Sequence, residues 1–232
     1  ITAGIKTAAK ELGVLPTEVA ALTAQLAPAF SDVSEGINGT KVDLVALTSD
    51  VTKIGVAWDI TGKEAGKTFA EISSGLQLTT AETKSLFGGI NELGNQLGTK
   101  ASVVAEAVQR SAGVLKGANI SGETGAALNA VLIKTGSSAE VAATGVRTFV
   151  ARLGAGEAAT KKQLHAFQEL GLSAKAVAKE LTSGDSVRAE KQIKEVVKAI
   201  GGLADDKKLP VLIELFGSES IGSIGAAATA TD

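Results

Sequence analysis

The sequence contains no cysteine, which removes disulfides, thiol catalysis and thiolate metal sites together. His165 is the single histidine. A histidine-based metal cluster therefore cannot form within one chain, and a Ser–His–Asp constellation would lack support, so a place on a helix surface is expected for this residue. Aromatic side chains are scarce: six phenylalanines, one tryptophan and no tyrosine leave few platforms on which bases stack. Neither charge sign dominates, with 23 basic residues against 25 acidic ones. The balance implies no specific nucleic-acid partner and no strongly acidic membrane. Long apolar runs are also missing. The longest uncharged stretch, residues 19–31, contains Pro28 and falls short of the about 20 residues that a bilayer span requires. No membrane span is expected in this piece. The chain opens at Ile1 with neither methionine nor a charged-then-apolar leader, and reads as a fragment or processed piece of a longer protein.

What is present is helical period and legible helix starts. Thr61-x-x-Glu64, Thr79-x-x-Glu82 and Ser137-x-x-Glu140 each match the capping box. In that motif a hydroxyl satisfies an orphan N–H and the glutamate bonds back to the cap residue. Thr40-x-x-Asp43, after the turn Asn38-Gly39, is a weaker version, and Ser121 and Asp185 are further start signals. The pattern predicts helices near 2–12, 16–27, 41–57, 62–74, 80–97, 100–116, 122–134, 138–153, 158–170, 174–182, 186–201 and 205–216. Glycines such as Gly13, Gly75, Gly98, Gly117, Gly136, Gly154, Gly171 and Gly217 stand where a helix terminator is wanted. The strand-like run at 209–213 is better read as helix, because Pro210 suits a first turn and Glu214, Leu215 and Phe216 continue the period.

The expected fold class is all-α: an array of short helical hairpins forming a Gly/Ala-rich multi-helix bundle. A faint echo between 60–82 and 120–140 supports the hairpin unit. Three regions are expected: an N-terminal helical segment over 1–57 that would end a longer extended helix, a main helical domain over 58–217, and a flexible tail over 218–232. A linker is expected at 29–40. At 232 residues the chain would run about 350 Å as one helix, against about 45 Å across when compact.

No catalytic, cofactor or metal residues emerge. Gly66-Lys67-Thr68 supplies half of a phosphate-binding loop, but the first glycine that motif needs falls on Thr61. Gly154-x-Gly156 lacks the third glycine and the preceding strand of a dinucleotide site. The Asp205-Asp206 and Lys207-Lys208 neighbours do not converge on one point. The pairs Gly62/Gly66, Gly94/Gly98 and Gly113/Gly117 lie four residues apart. They are expected to give bare patches that let helix backbones approach each other closely.

The run ETKSLFGGINELGNQLGTKASVVAEAVQRSAGV, from 82 to 114, resembles the central conserved region of phage tail tape measure proteins. So do AAKELGVLPTEVAALTAQLA (8–27), SSAEVAATGVRTFVARL (137–153), KQLHAFQELGLSAKAVAKEL (162–181) and LADDKKLPVLIELFG (203–217). The likeness keeps the family's order over nearly the whole chain. Leu15, where the family often has Ser or Thr before proline, and the Asn-Gly-Thr turn at 38–40 depart from it. The resemblance implies a non-enzymatic structural virion protein of a bacteriophage or prophage that sets tail length and occupies the tail tube lumen, after assembly in the host bacterial cytoplasm. It implies a homo-oligomer of several copies, commonly three, with tail tube, tail tip and tail assembly chaperone proteins as partners. Asn91, Gly94, Asn95 and Arg110 match the family's recurrent pattern; they are expected to satisfy helix ends and interhelical hydrogen bonds. A membrane-active helical module involved in genome delivery is the alternative reading.

Overall fold

A computed structural model describes residues 2–30 and 44–217. Twelve α-helices run through them: α1 (Thr2–Leu12), α2 (Pro16–Phe30), α3 (Leu44–Ala57), α4 (Gly62–Leu76), α5 (Thr80–Leu97), α6 (Ala101–Gly117), α7 (Gly122–Lys134), α8 (Ala139–Leu153), α9 (Lys161–Glu169), α10 (Ala174–Leu181), α11 (Ser186–Gly201) and α12 (Asp205–Phe216). A 3₁₀ turn at Gly156–Ala158 separates α8 from α9, and no strand occurs among the described residues. The expected turn at Asn38-Gly39, the Thr40–Asp43 helix start and the 218–232 tail lie outside the described residues. Helix α2 continues to Phe30, so the linker expected from residue 29 does not begin there.

Local chemistry fixes the helix starts. Thr61 accepts from Glu64 N–H at 3.2 Å, and Glu64 Oε2 accepts from Thr61 N–H at 2.9 Å. Thr79 and Glu82 repeat the arrangement at 3.3 and 2.8 Å. These exchanges hold both carboxyls below the ordinary glutamate range, mainly through the backbone N–H of the cap residue. The cap of α8 is Ser138 instead of Ser137. Ser138 Oγ accepts from Val141 N–H at 3.3 Å, while Ser137 N–H bonds back to Leu132 O in the preceding turn. Glu140 consequently sits one place too early to close a box. A third complete box, Thr160 with Gln163, opens α9.

Helix ends follow the expected glycines only in part. Gly98 terminates α5 in the left-handed region, but α4 and α6 run past Gly75 and through Gly117. Their chain reversals fall on Gln77 (φ 56°) and Asn119 (φ 55°). Asparagine tolerates that region better than most residues; nothing comparable favours Gln77.

The helices pack chiefly on their neighbours and next-but-one neighbours. Helices α2, α4, α6 and α8 form a continuous row, with α3, α5 and α7 filling in beside it. The row closes when α12 returns onto α8 and α9 and stacks Phe216 on Phe149, ring centroids 5.3 Å apart. The echo between 60–82 and 120–140 is not a shared structural position. Helix α4 lies in the row and α7 beside it, so the likeness reflects common capping. One apolar cluster runs from Leu22 and Leu47 through Phe69, Leu115 and Phe149 to Phe216, crossing the division expected at 57/58. Helix α1 belongs to a satellite of Ala8, Ala9 and Val19.

The glycines show how such small-residue helices interlock. A methyl group added at Gly66 would sit 2.3 Å from Leu22 Cδ1, at Gly125 2.3 Å from Leu115 Cδ1, and at Gly122 2.6 Å from Leu86 Cδ2. These three gaps therefore receive leucine tips from the facing helix in place of backbone, whereas Gly94 and Gly55 do lie against backbone, where an added methyl group would meet Thr99 O at 3.0 Å and Ile60 O at 3.1 Å. Gly88, Gly89, Gly113 and Gly117 face open space, so the Gly113/Gly117 pair forms no notch within this chain.

This contrast predicts opposite signs for one chemical change. Gly125→Ala should lower stability by about 1–3 kcal/mol by overpacking against buried Leu115. Gly88→Ala, in an open helical position, should raise it by about 0.4–1 kcal/mol. Urea unfolding of both variants checks this; equal effects would contradict the leucine-in-gap packing.

Candidate functional site

The phosphate-loop fragment is helix. Residues 62–68 begin α4 directly after the Thr61 cap, so the segment is helix and forms no loop that wraps an anion. Gly66 is filled by Leu22, and Lys67 is exposed. Gly154 and Gly156 lie in the turn between α8 and α9. Asp205 and Asp206 occupy the first turn of α12, where carboxylates complement the helix dipole. Among the described residues no group of three or more His, Asp or Glu side chains is placed to hold a metal ion.

The best-defined polar constellation holds helices together. Trp58, just past α3, stacks on Phe87 of α5 at 5.0 Å and 11°, and Phe69 of α4 meets Phe87 at 5.1 Å. The indole Nε1–H donates to Asn91 Oδ1 at 3.1 Å. A nearly buried indole N–H without a partner would be destabilising, so Asn91 both satisfies Trp58 and fixes where α5 lies against the α3–α4 turn. One turn on, Gly94 closes the α5–α6 corner. Its carbonyl accepts from Thr99 N–H at 2.9 Å, and a methyl group there would lie 3.0 Å from Thr99 O.

The other two family-pattern residues behave differently. Arg110 donates from Nε and Nη2 to Glu106 Oε1 at 2.9 and 2.8 Å, an exposed pair within α6 and no interhelical bond. Asn95 is exposed, and no side-chain hydrogen bond is formed by it among the described residues.

Sequence reasoning did not reach two buried polar contacts. Asn129 of α7 donates from Nδ2 to Ser111 Oγ of α6 at 3.1 Å and to Gly125 O at 2.8 Å. Thr23 of α2 and Thr48 of α3 share a hydroxyl contact at 3.1 Å. Each pins one helix pair, since a buried polar group left unpaired is costly. Nothing in either local sequence separates these residues from solvent-facing ones.

His165 is 60% exposed in its side chain, as expected for a surface position, but it has a partner. Nδ1 lies 2.8 Å from Glu214 Oε2, joining α9 to α12. Lys207 and Glu169 form a parallel link at 2.7 Å. Hydrogen bonding to Glu214, then its charge, raises the His165 pKa above the ordinary histidine value, with Lys207 opposing.

No nucleophile–base pair or cation-binding cluster emerges from these contacts. The arrangement positions helices against one another.

Comparison with known proteins agrees in kind. The model of the phage-related minor tail protein family matches residues 4–217. A probable tape measure protein of Halomonas phage phiHAP-1 is 31% identical over 181 residues, covering 78% of this chain and 21% of that protein. The chain thus spans about a fifth of the length of that curated relative. No solved structure matches it.

Two outcomes are expected. Asn91→Ala should cost about 1 kcal/mol by unpairing the indole, read in urea with the fluorescence of the single tryptophan. His165 should titrate above about 6.5, and Glu214→Gln should return it there, as followed by NMR. The folded pKa exceeds the unfolded one. The contact therefore contributes fully below about pH 6.5 and is lost as pH rises through the raised value; a melting temperature that gained from His165 only above neutrality would have the wrong sign.

Proposed function

The chain belongs to the phage-related minor tail protein family, and from that premise we propose that it is a structural segment of a tape measure protein, lying in the tail tube lumen and contributing to tail length. The observation that carries this reading is the near-linear helix array. Helices α2, α4, α6 and α8 follow one another in a row, each packed on the element two places along, as in repeat proteins whose contacts run along one dimension; α12, which returns onto α8 and α9, is the exception. Such a chain lays out its contour as an axial distance more readily than a fold closed by long-range contacts.

On this reading the segment works as structure, without catalysis. Several copies, commonly three in this reading, associate with one another and with tail tube, tail tip and assembly chaperone proteins, after synthesis in the host cytoplasm. Among the described residues no helix is long and apolar enough to cross a membrane, and no observation favours the membrane-active alternative.

An in-frame deletion of about 60 residues within the whole phage protein tests the reading. If the segment is extended and helical in the tail, tails should shorten by about 90 Å in electron micrographs. Unchanged length would remove this segment from the ruler.

A further inference from the structure

We propose that the cleft formed by the end of α8, the start of α9 and the end of α12 is a docking surface for another protein chain, specifically an acidic segment that carries apolar side chains among its carboxylates. The cleft encloses about 610 Å³ and is lined by Arg152, Thr160, Lys162, Pro210, Ile213 and Glu214, among others. The inference stands whether or not the segment contributes to tail length.

Charge is the first argument. Arg110 and Arg188 are paired with carboxylates and Arg147 donates to Thr144 Oγ1. Arg152 is the one arginine with no side-chain hydrogen bond or ion pair among the described residues, and Lys162 is likewise without either. Glu214 lines the same cleft, with its Oε2 2.8 Å from His165 Nδ1, so the lining carries two cations against one carboxylate. Guanidinium groups match carboxylates in geometry as well as charge.

The second argument is the apolar character of α12. Its inward face buries Val211, Leu212, Leu215 and Phe216. Its outward face nevertheless carries Leu209 and Ile213, one turn apart, 51% and 41% exposed, with Pro210 between them. Of these two residues Ile213 lines the cleft, so it is the apolar side chain that an occupant would cover. An occupant with carboxylates for Arg152 and Lys162 and an apolar side chain for Ile213 meets both requirements. A nucleic-acid backbone meets only the first, and lipid would face two cations on a narrow patch.

The test uses the 232-residue chain and a fluorescein-labelled helical peptide with leucine every third or fourth position and glutamate elsewhere; its lysine counterpart is the control. The acidic peptide should bind saturably, shift the NMR amides around Arg152, Lys162 and Ile213, and weaken as salt rises. The double variant R152E/K162E and the single variant I213D should each lose at least tenfold in affinity with unchanged circular dichroism. The wild-type shift map locates the site independently of how the variants fold. Absent saturation, equal binding of the lysine peptide, or shifts elsewhere would overturn the proposal. So would self-association of the chain that I213D abolishes, since the occupant would then be a second copy.

Discussion

A leucine tip seated where the facing helix has no side chain is the contact on which this architecture rests. Leu22 fills the space over Gly66, Leu115 that over Gly125, and Leu86 that over Gly122. Short helices rich in alanine offer little area for ordinary packing, and burial must be gained by letting the few large side chains penetrate deeply. A fully buried leucine contributes about 1.5–3 kcal/mol, whereas a glycine within a helix costs about 1 kcal/mol relative to alanine. The exchange is favourable wherever a leucine is present to use the gap. It is not favourable at Gly88 and Gly89, where nothing lies within reach and the intrinsic cost stands uncompensated within this chain.

That difference explains what was legible in the sequence. Helix positions are written locally: hydroxyl, glutamate three residues on, then an apolar stripe. Thr61 and Thr79 announce α4 and α5 because every participant lies within one turn. The Ser137-Ser138 doublet shows the limit of the same signal, for only Ser137 has the glutamate three residues on, yet the backbone's exit from α7 makes Ser138 the cap. Glycine was legible as a type and ambiguous as a role. Gly66 and Gly88 read alike in sequence, and only the facing helix distinguishes them. The Trp58–Asn91 bond, spanning 33 positions, and the Asn129–Ser111 contact depend on the stacking order of helices, which local period does not contain. Arg110 pairs with Glu106 within its own helix, and a family pattern carries no statement about whether a cation pairs within its helix or across it.

The packing order has a consequence for stability. With α2, α4, α6 and α8 in a row and the others leaning on it, loss of one element exposes mainly its immediate neighbours. The array is uneven along its length. Phe69, Phe87 and Trp58 concentrate large side chains at α3–α5, Phe149 and Phe216 at α8–α12, and α1 is held by alanines and Val19. Opening is expected to start where the buried area is smallest, as local unfolding generally does, and the aromatic junctions are the parts that resist.

For the segment to act as an axial ruler it has to exchange this packing for length, and the turns show which way the balance leans. Straightening requires Asp59, Gln77 and Asn119 to leave the left-handed region, a relaxation that favours the extended form. It also requires Gly98 and Gly136 to join continuous helix, where glycine is a poor former, and it frees each capping box of its purpose. Against those modest local terms stands the exposure of the whole apolar cluster from Leu22 to Phe216, a far larger cost in water. The isolated chain is therefore held compact by its leucines, and extension must be driven by surfaces that replace them. In the proposed tail role, the open positions at Gly88 and Gly89 on α5 are where such a surface would find room.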